Sequence, residues 1–350
     1  QRRGCNALLA CQPPPKGDHR SILSEAHKRG FQPITLFALD KRPNFKHNIA
    51  DIRRLREFVA DERIDLLHVH GSHDHFLGGI AARSCRRRPL LVRTNHRGVE
   101  MKGGPAAAFL MGELTDGYIG FSEGALERDR ERFALPENRT LLVNPAMQVK
   151  RYLDFHPVGN ARNRFAIDRD RFVVGIVARV QRHRRFDMLL RGFALARKEE
   201  PRLLLMVVGR GTRHEEVAVR PARKMGIADH VLFPGYLADD YLETLAAFDA
   251  MIFLVPGSDG TCRALREGMA MGKPVIAARR GMIPEILGAE SCGLLIDDRP
   301  EEIAKAMVQL ARDGKLCRLL GARARERAAS SFSLERQAQA VLGFYERLLH

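Results

Sequence analysis

The chain has 350 residues, 45% hydrophobic and 29% charged, with 7% aromatics and no Trp; this composition means about two globular domains with aliphatic cores and excludes a disordered chain or a small disulfide scaffold. Lys+Arg 58 against Asp+Glu 42 gives a net charge of +16, and 25 − 17 in residues 1–150 and 33 − 25 in the remainder give +8 in each half, so the excess is not a tail. It favours an anionic partner, although arginine on solvated faces explains much of it. No apolar run approaches the roughly 18 residues of a membrane span. The six cysteines (5, 11, 85, 262, 292, 317) form no CxxC pair and read as reduced, buried thiols in a cytoplasmic protein.

Residues 1–4 read as the end of a helix closed by Gly4. A βαβ unit of about 30 residues puts a strand before such a helix, so a first strand, its loop and most of a helix are expected to be missing. The alternative makes residues 6–11 the first strand. Strands are then expected at 7–12, 33–39, 66–70, 90–94, 117–121 and 140–143, and after the midpoint at 173–180, 203–208, 231–233, 250–255, 274–278 and 293–296. Amphipathic stretches such as 186–197 and 301–312 separate them. Strand–helix alternation predicts α/β architecture: two doubly wound, Rossmann-like domains with parallel sheets, facing a cleft. The boundary lies between 145 and 171, which divides the chain into 1–158, 159–332 and a last helix at 333–350 that crosses back to the first domain.

The strongest local signal is PGSDGTCRALREGMAMGKPV, residues 256–275. An apolar strand runs into a glycine turn (Gly257, Ser258, Asp259, Gly260) and then a helix from about 261 to 271. The free N–H groups of such a helix start suit phosphate or sugar oxygens. Cys262, Leu265 and Met269 fall at i, i+3, i+7 and face the core. Glu267 lies about 200° round from Leu265, so Asp259 and Glu267 look into one cleft. Taken alone, an Asp before a helix is usually a cap and a Glu in its second turn is usually solvated.

The second half resembles the nucleotide-binding domain of retaining GT-B glycosyltransferases of family 4. The resemblance rests on Asp259-x7-Glu267 followed by GKPV, and on VARVQRHRRFDMLLRGF (177–193), LMVVGRG (205–211), VLFPGYL (231–237), RGMIPEI (280–286) and GLLIDD (293–298). It covers about residues 170–345; LLHVHGS, VRTNH, GYIGFSEGA and VNPA extend it more weakly into the first half. It implies sugar transfer from a nucleotide-diphosphate-sugar to a hydroxyl of a cell-surface glycan or glycolipid precursor of the lipopolysaccharide type.

By resemblance Arg179 and Arg184 hold the diphosphate, Arg standing at 184 where the family has Lys. Fixed positive charge there stabilises the departing diphosphate. Glu267 binds the ribose, and Asp259, where the family has Glu, binds a hydroxyl of the transferred sugar. The backbone of Gly260, Thr261 and Cys262 meets sugar and phosphate, Tyr236 and Leu237 in the 235–237 loop meet the base, and His96 lies near the sugar. No cofactor or metal is expected. His68, His70, His73 and His75 lack a carboxylate–Cys set to complete a metal shell, and Asp239-Asp240 and Asp297-Asp298 read as a helix start and a strand end rather than Mg²⁺ ligands. The basic RSCRRRP loop (83–89) points to a phosphorylated or membrane-borne acceptor, and so to peripheral contact with the anionic inner face of the cell membrane. Two rivals share these features: an epimerase of sugar nucleotides on the same fold, and a basic nucleic-acid-binding protein. The sequence lacks RNP, KH and zinc modules, which argues against nucleic acid.

Overall fold

The computed structural model describes residues 5–13, 21–40, 44–158, 161–237, 240–257, 260–288 and 292–350. Two parallel sheets organise them. The first has four strands in the order β1-β2-β3-β4: β1 (Leu66–Val69), β2 (Leu90–Asn95), β3 (Gly117–Gly120) and β4 (Thr140–Leu142). The second has six: β5 (Phe172–Val177), β6 (Leu203–Val208), β7 (Val231–Gly235), β8 (Ala250–Phe253), β9 (Val275–Ala278) and β10 (Gly293–Ile296), in the order β10-β9-β8-β5-β6-β7. The apolar runs form these strands because both sheet faces are covered by helices, so every side chain can be buried; all six residues of β6 are.

Two expected strands do not form. Residues 7–12 and 33–39 meet only at one parallel bridge, Ala10 to Ile34. The Asp51 carboxylate, itself buried, takes the N–H groups of Ala38 and Leu39 at 2.9 Å each. That satisfies this backbone without a neighbouring strand. Leu8 and Leu9 remain exposed.

In the second sheet the chain order reverses at β5. From there β6 and β7 run one way, and β8, β9 and β10 the other. The loops after β5 and β8 therefore part and leave a crevice at the strand C-termini. The loop after β6 closes flush on the loop after β5: a Cβ at Gly209 would stand 2.0 Å from the Ala178 carbonyl oxygen, and Gly209 has φ +147°. No other residue fits there.

One apolar cluster is continuous from Val92 and Ile119 of the first sheet, through Val149 and Tyr152, to Cys262 and Leu265 of the second unit. Two crossing segments lie side by side at this seam, bridged between Met147 and Ser333. The last helix, Leu334–Leu349, is capped by the Ser333 side chain. It lays the buried Phe344 against Gly117, where a Cβ would come within 3.0 Å of the ring. Among the described residues no helix is long and apolar enough to cross a membrane, and the six cysteines form no disulfide.

Candidate active site

The crevice at the switch point is a cradle of about 120 Å³ whose lining includes Val177, Arg184, Val255, Gly257 and Arg263. Arg184 ends a 3-10 turn, Arg182–Arg184, and its guanidinium is buried. Its Nη1 donates to the Val255 carbonyl at 3.2 Å and to that of Pro256, which holds the charge at the mouth of β8. Arg179 is exposed just beyond β5, and among the described residues its side chain makes no hydrogen bond or ion pair. Both arginines expected at the diphosphate thus lie in the loops around the switch point.

The helix after β8 begins later than expected, at Arg263 rather than about 261, and spans Arg263–Ala270. Cys262 is its N-cap, in the left-handed region at φ 50°. As its spacing predicts, Cys262 is fully buried with Leu265 and Met269. Thr261 is buried against the interdomain cleft. Gly260 touches the other domain: a Cβ there would lie 2.4 Å from the Gly98 nitrogen. Asp259, with Ser258, lies outside the described residues.

Glu267 sits on the expected side of its helix but is not open. Tyr152 donates to Oε1 at 2.7 Å, Arg263 Nε to the same oxygen at 2.9 Å, and the Tyr241 hydroxyl to Oε2. The carboxylate is 5% exposed. Burial, and then the Glu267 charge beside it, pushes the Tyr152 hydroxyl up to about 12 and raises Tyr241 as well, so both phenols stay protonated donors. A carboxylate has about four acceptor positions; three are taken, and Oε2 keeps one. Tyr236 is exposed beneath the Arg210 guanidinium, 5.0 Å from its ring, and Leu237 packs on the core.

In the first domain His96 follows β2 and faces the same cleft as Thr261. Its Nε2 lies 2.9 Å from His70 Nδ1, and its ring meets Phe121 edge-on at 5.3 Å. His68 bonds Thr94 at 2.6 Å and the Tyr345 hydroxyl; His73 bonds Asn48 at 3.0 Å and His75 bonds Thr115 at 2.7 Å. These histidines are held by separate partners. Among the described residues no group of three His, Cys, Asp or Glu is placed to share a metal ion. Asp240 is the N-cap of the helix Tyr241–Ala246, whereas Asp239 lies outside the described residues. Asp298, just past β10, pairs with Arg280 at 2.6 Å and Arg185 at 3.1 Å.

Loop 83–89 is a correction. It precedes β2, so it lies at the opposite end of the sheet from His96, which follows β2. Its Arg87 and Arg88 are drawn to Asp65 at 2.7 Å and Asp116 at 3.0 Å. It does not line either crevice, and its charge says nothing about a ligand there.

Several residues of the site carried no role in the sequence. Tyr152, Tyr241 and Arg263 enclose Glu267. Glu285, inside RGMIPEI, reaches the first domain: it accepts from Ser122 Oγ and from the Glu123 backbone N–H, each at 2.8 Å. It thereby caps the helix Glu123–Phe133. Arg266 is buried and donates to the carbonyls of Pro145 at 2.6 Å and Thr261 at 3.0 Å, with its guanidinium 5.8 Å from the Phe332 ring. Arg263 was readable from its i,i+4 spacing to Glu267, whereas for the tyrosines the signal was composition: Tyr152 and Tyr241 are two of just five in the chain.

Comparison with known proteins gives the family and the fold. Residues 158–327 match the family model described as glycosyl transferases group 1, and residues 1–151 match that of glycosyltransferase family 4. A D-inositol 3-phosphate glycosyltransferase of Salinispora tropica is 27% identical over 330 residues, spanning 85% of this chain and 66% of that protein. Among solved structures, a glycosyltransferase from Rickettsia africae superposes with a TM-score of 0.79 at 15% identity, covering 93% of this chain and 87% of the other. Anabaena HepE in complex with UDP and glucose superposes at 0.73 with 17% identity, covering 97% and 98%.

Proposed function

The chain belongs to the group 1, family 4 glycosyltransferases, retaining transferases of GT-B fold that move a sugar from a nucleotide-sugar, and we propose that its acceptor is a hydroxyl of a cell-surface glycan or glycolipid precursor of the lipopolysaccharide type. The observation that carries the donor half of this reading is the switch-point cradle with Arg184 fixed at its mouth. A cation held there in advance stabilises the negative charge that builds on the leaving nucleoside diphosphate, with no reorganisation as the bond breaks. Arg179, exposed and without a described partner, adds a second, mobile charge.

In this reading the ribose bonds the remaining acceptor position of Glu267 Oε2, between Tyr152 and Tyr241. The backbone of Gly260, Thr261 and Cys262 meets the sugar and the phosphate next to it. Asp259 binds a sugar hydroxyl, and Tyr236 and Leu237 border the base. His96 approaches the sugar from the first domain. Diphosphate charge is met by protein cations rather than by a metal. The HepE complex with UDP and glucose supports a uridine nucleotide as the first donor to try. The chain works at the cytoplasmic face of the membrane, where its charge of +16 favours an anionic surface.

Thermal unfolding against UDP, GDP, ADP and their sugars tests this. A nucleotide that binds only the folded state adds about 2.7 kcal/mol at a hundredfold excess over its Kd. Stabilisation by one nucleoside diphosphate, lost in Arg184→Ala, is the expected result. No stabilisation by any of them would sink the donor site.

A further inference from the structure

The larger crevice lies between the domains. It holds about 380 Å³, and four arginines line it: Arg29, Arg151, Arg263 and Arg266. Among the described residues no carboxylate lines it. The four come from separate parts of the chain. Arg29 caps the helix Ile22–Lys28, Arg151 lies on the short helix Lys150–Leu153, and Arg263 and Arg266 lie on the helix after β8. Three of them have work elsewhere. Arg29 pairs with Glu25 at 2.8 Å, Arg263 with Glu267 at 2.9 Å, and Arg266 holds two backbone carbonyls. Arg151 is exposed to the cleft and, among the described residues, its side chain makes no hydrogen bond or ion pair.

Glu25 and Glu267 offset the charges of Arg29 and Arg263, so Arg151 and the buried Arg266 carry most of the positive charge at this cavity, and walls of low dielectric strengthen the repulsion between them. An anion there relieves that repulsion. Guanidinium groups match the oxygens of a phosphate or carboxylate two at a time, and the two charges that no carboxylate offsets suit a dianion better than a single negative charge. The volume is within the range of small-ligand sites. This cleft is separate from the switch-point cradle: Arg184 and Gly257 line the cradle only, and Arg263 alone among the arginines borders both. His96 and Thr261 line the cleft as well, so a molecule seated there lies beside the position proposed for the donor sugar.

We propose that the interdomain cleft binds the phosphate monoester end of the acceptor, with Arg151 as its main ligand. The proposal rests on the transferase reading and narrows the acceptor to a small phosphorylated polyol, or to a glycan or lipid precursor that ends in one. It replaces loop 83–89 as the reason to expect a phosphorylated acceptor.

The test is titration of the full chain with glycerol 3-phosphate, with glycerol as the uncharged control, followed by thermal unfolding. A separate arm titrates UDP, GDP and ADP. Glycerol 3-phosphate is expected to stabilise the protein and glycerol is not. The effect should add to that of a bound nucleoside diphosphate. Arg151→Ala should weaken glycerol 3-phosphate about tenfold or more, the loss of a charged hydrogen bond, and Arg151→Lys should weaken it less. Neither variant should alter nucleoside diphosphate binding. Arg87→Ala, at the far end of the sheet, should change nothing. Equal binding by Arg151→Ala, no preference for glycerol 3-phosphate over glycerol, or its displacement by the nucleoside diphosphate would overturn the proposal. Displacement would mean that the phosphate sits in the donor cradle. Failure of the nucleoside diphosphate arm alone would instead strike the donor site.

Discussion

His70 Nδ1 and His96 Nε2 stand 2.9 Å apart at the ends of neighbouring strands, so one ring must donate to the other and the pair shares a single proton at that contact. Both residues keep exposed surface, and His96 lines the cleft. Burial first, then the neighbouring His96 and Arg93, lowers His70 to about 4; burial and then Arg93 lower His96. Protonating both rings would set two N–H groups against each other. Activity should therefore persist below pH 6.5 and fall only as the pair takes up a second proton. His70→Phe should lower kcat about tenfold with little change in donor KM, since it frees the orientation of His96 without touching the nucleotide. An acid limb of kcat/KM at pH 6.5 or above would count against this pairing.

The contact between Glu285 and the Ser122–Glu123 turn joins the two domains across the cleft. A carboxylate at a helix N-terminus makes charge-assisted bonds and meets the positive end of the helix dipole. Glu285→Ala should reduce kcat by about ten- to hundredfold, from the loss of bonds worth about 1.5–3 kcal/mol. Nucleoside diphosphate affinity should hardly change, because the proposed donor contacts lie in the second domain. A double-mutant cycle with Ser122→Ala measures the coupling. Additive effects would show that the contact does not hold the domains in their working arrangement.

Tyr152 and Tyr241 orient Glu267. Tyr241→Phe should raise donor KM several-fold and destabilise the fold by about 1 kcal/mol, the usual worth of one buried hydrogen bond. Glu267→Gln should weaken the bare nucleoside diphosphate as much as the sugar nucleotide, because the ribose is common to both. Asp259→Asn should weaken mainly the sugar nucleotide. Titration calorimetry with both ligands separates these patterns.

His75 is fully buried, and its Nε2 lies 2.7 Å from Thr115 Oγ1. The Thr115 hydroxyl gives its proton to the Leu110 carbonyl at 2.7 Å, so His75 must be the donor in that pair. Burial, then Arg93, lowers its pKa from 6.5 to about 4. Between those values the unfolded chain binds a proton that the folded chain does not. The stability His75 contributes is therefore whole above pH 6.5 and is lost as the pH falls toward 4, with a slope of up to about 1.4 kcal/mol per pH unit. His68, lowered to about 3, chiefly by burial, adds to the same trend. Urea unfolding between pH 4 and 7 should show this slope, reduced in His75→Gln. A flat profile would mean that these rings are protonated in the fold.

The proposed donor cradle meets the diphosphate with arginine in place of a divalent cation, so transfer should survive EDTA. Arg179→Ala should lower kcat/KM about ten- to hundredfold. Loss of activity on chelation, restored by Mg²⁺ or Mn²⁺, would move the phosphate chemistry to a metal.

The sequence by itself determined the second sheet and the inner face of the helix after β8. Runs such as 203–208 and 293–296 are strand-length, apolar and bounded by breakers, and they became strands over those same residues. Cys262, Leu265 and Met269 were readable because core burial imposes a helical period along the chain itself. At the amino end the same reasoning failed. The runs at 7–12 and 33–39 are as apolar, but a strand needs a partner edge, and the Asp51 carboxylate took the backbone N–H groups of Ala38 and Leu39 instead. Tertiary structure alone decided what surrounds Glu267, since the helical angle gave its direction but not the cover supplied by Tyr152, 115 residues away. It likewise set Glu285 against Ser122 across 163 residues and gathered four arginines from separate segments round one cleft. Such contacts leave no period in the sequence, because they depend on how two sheets are docked and not on how any one segment is patterned.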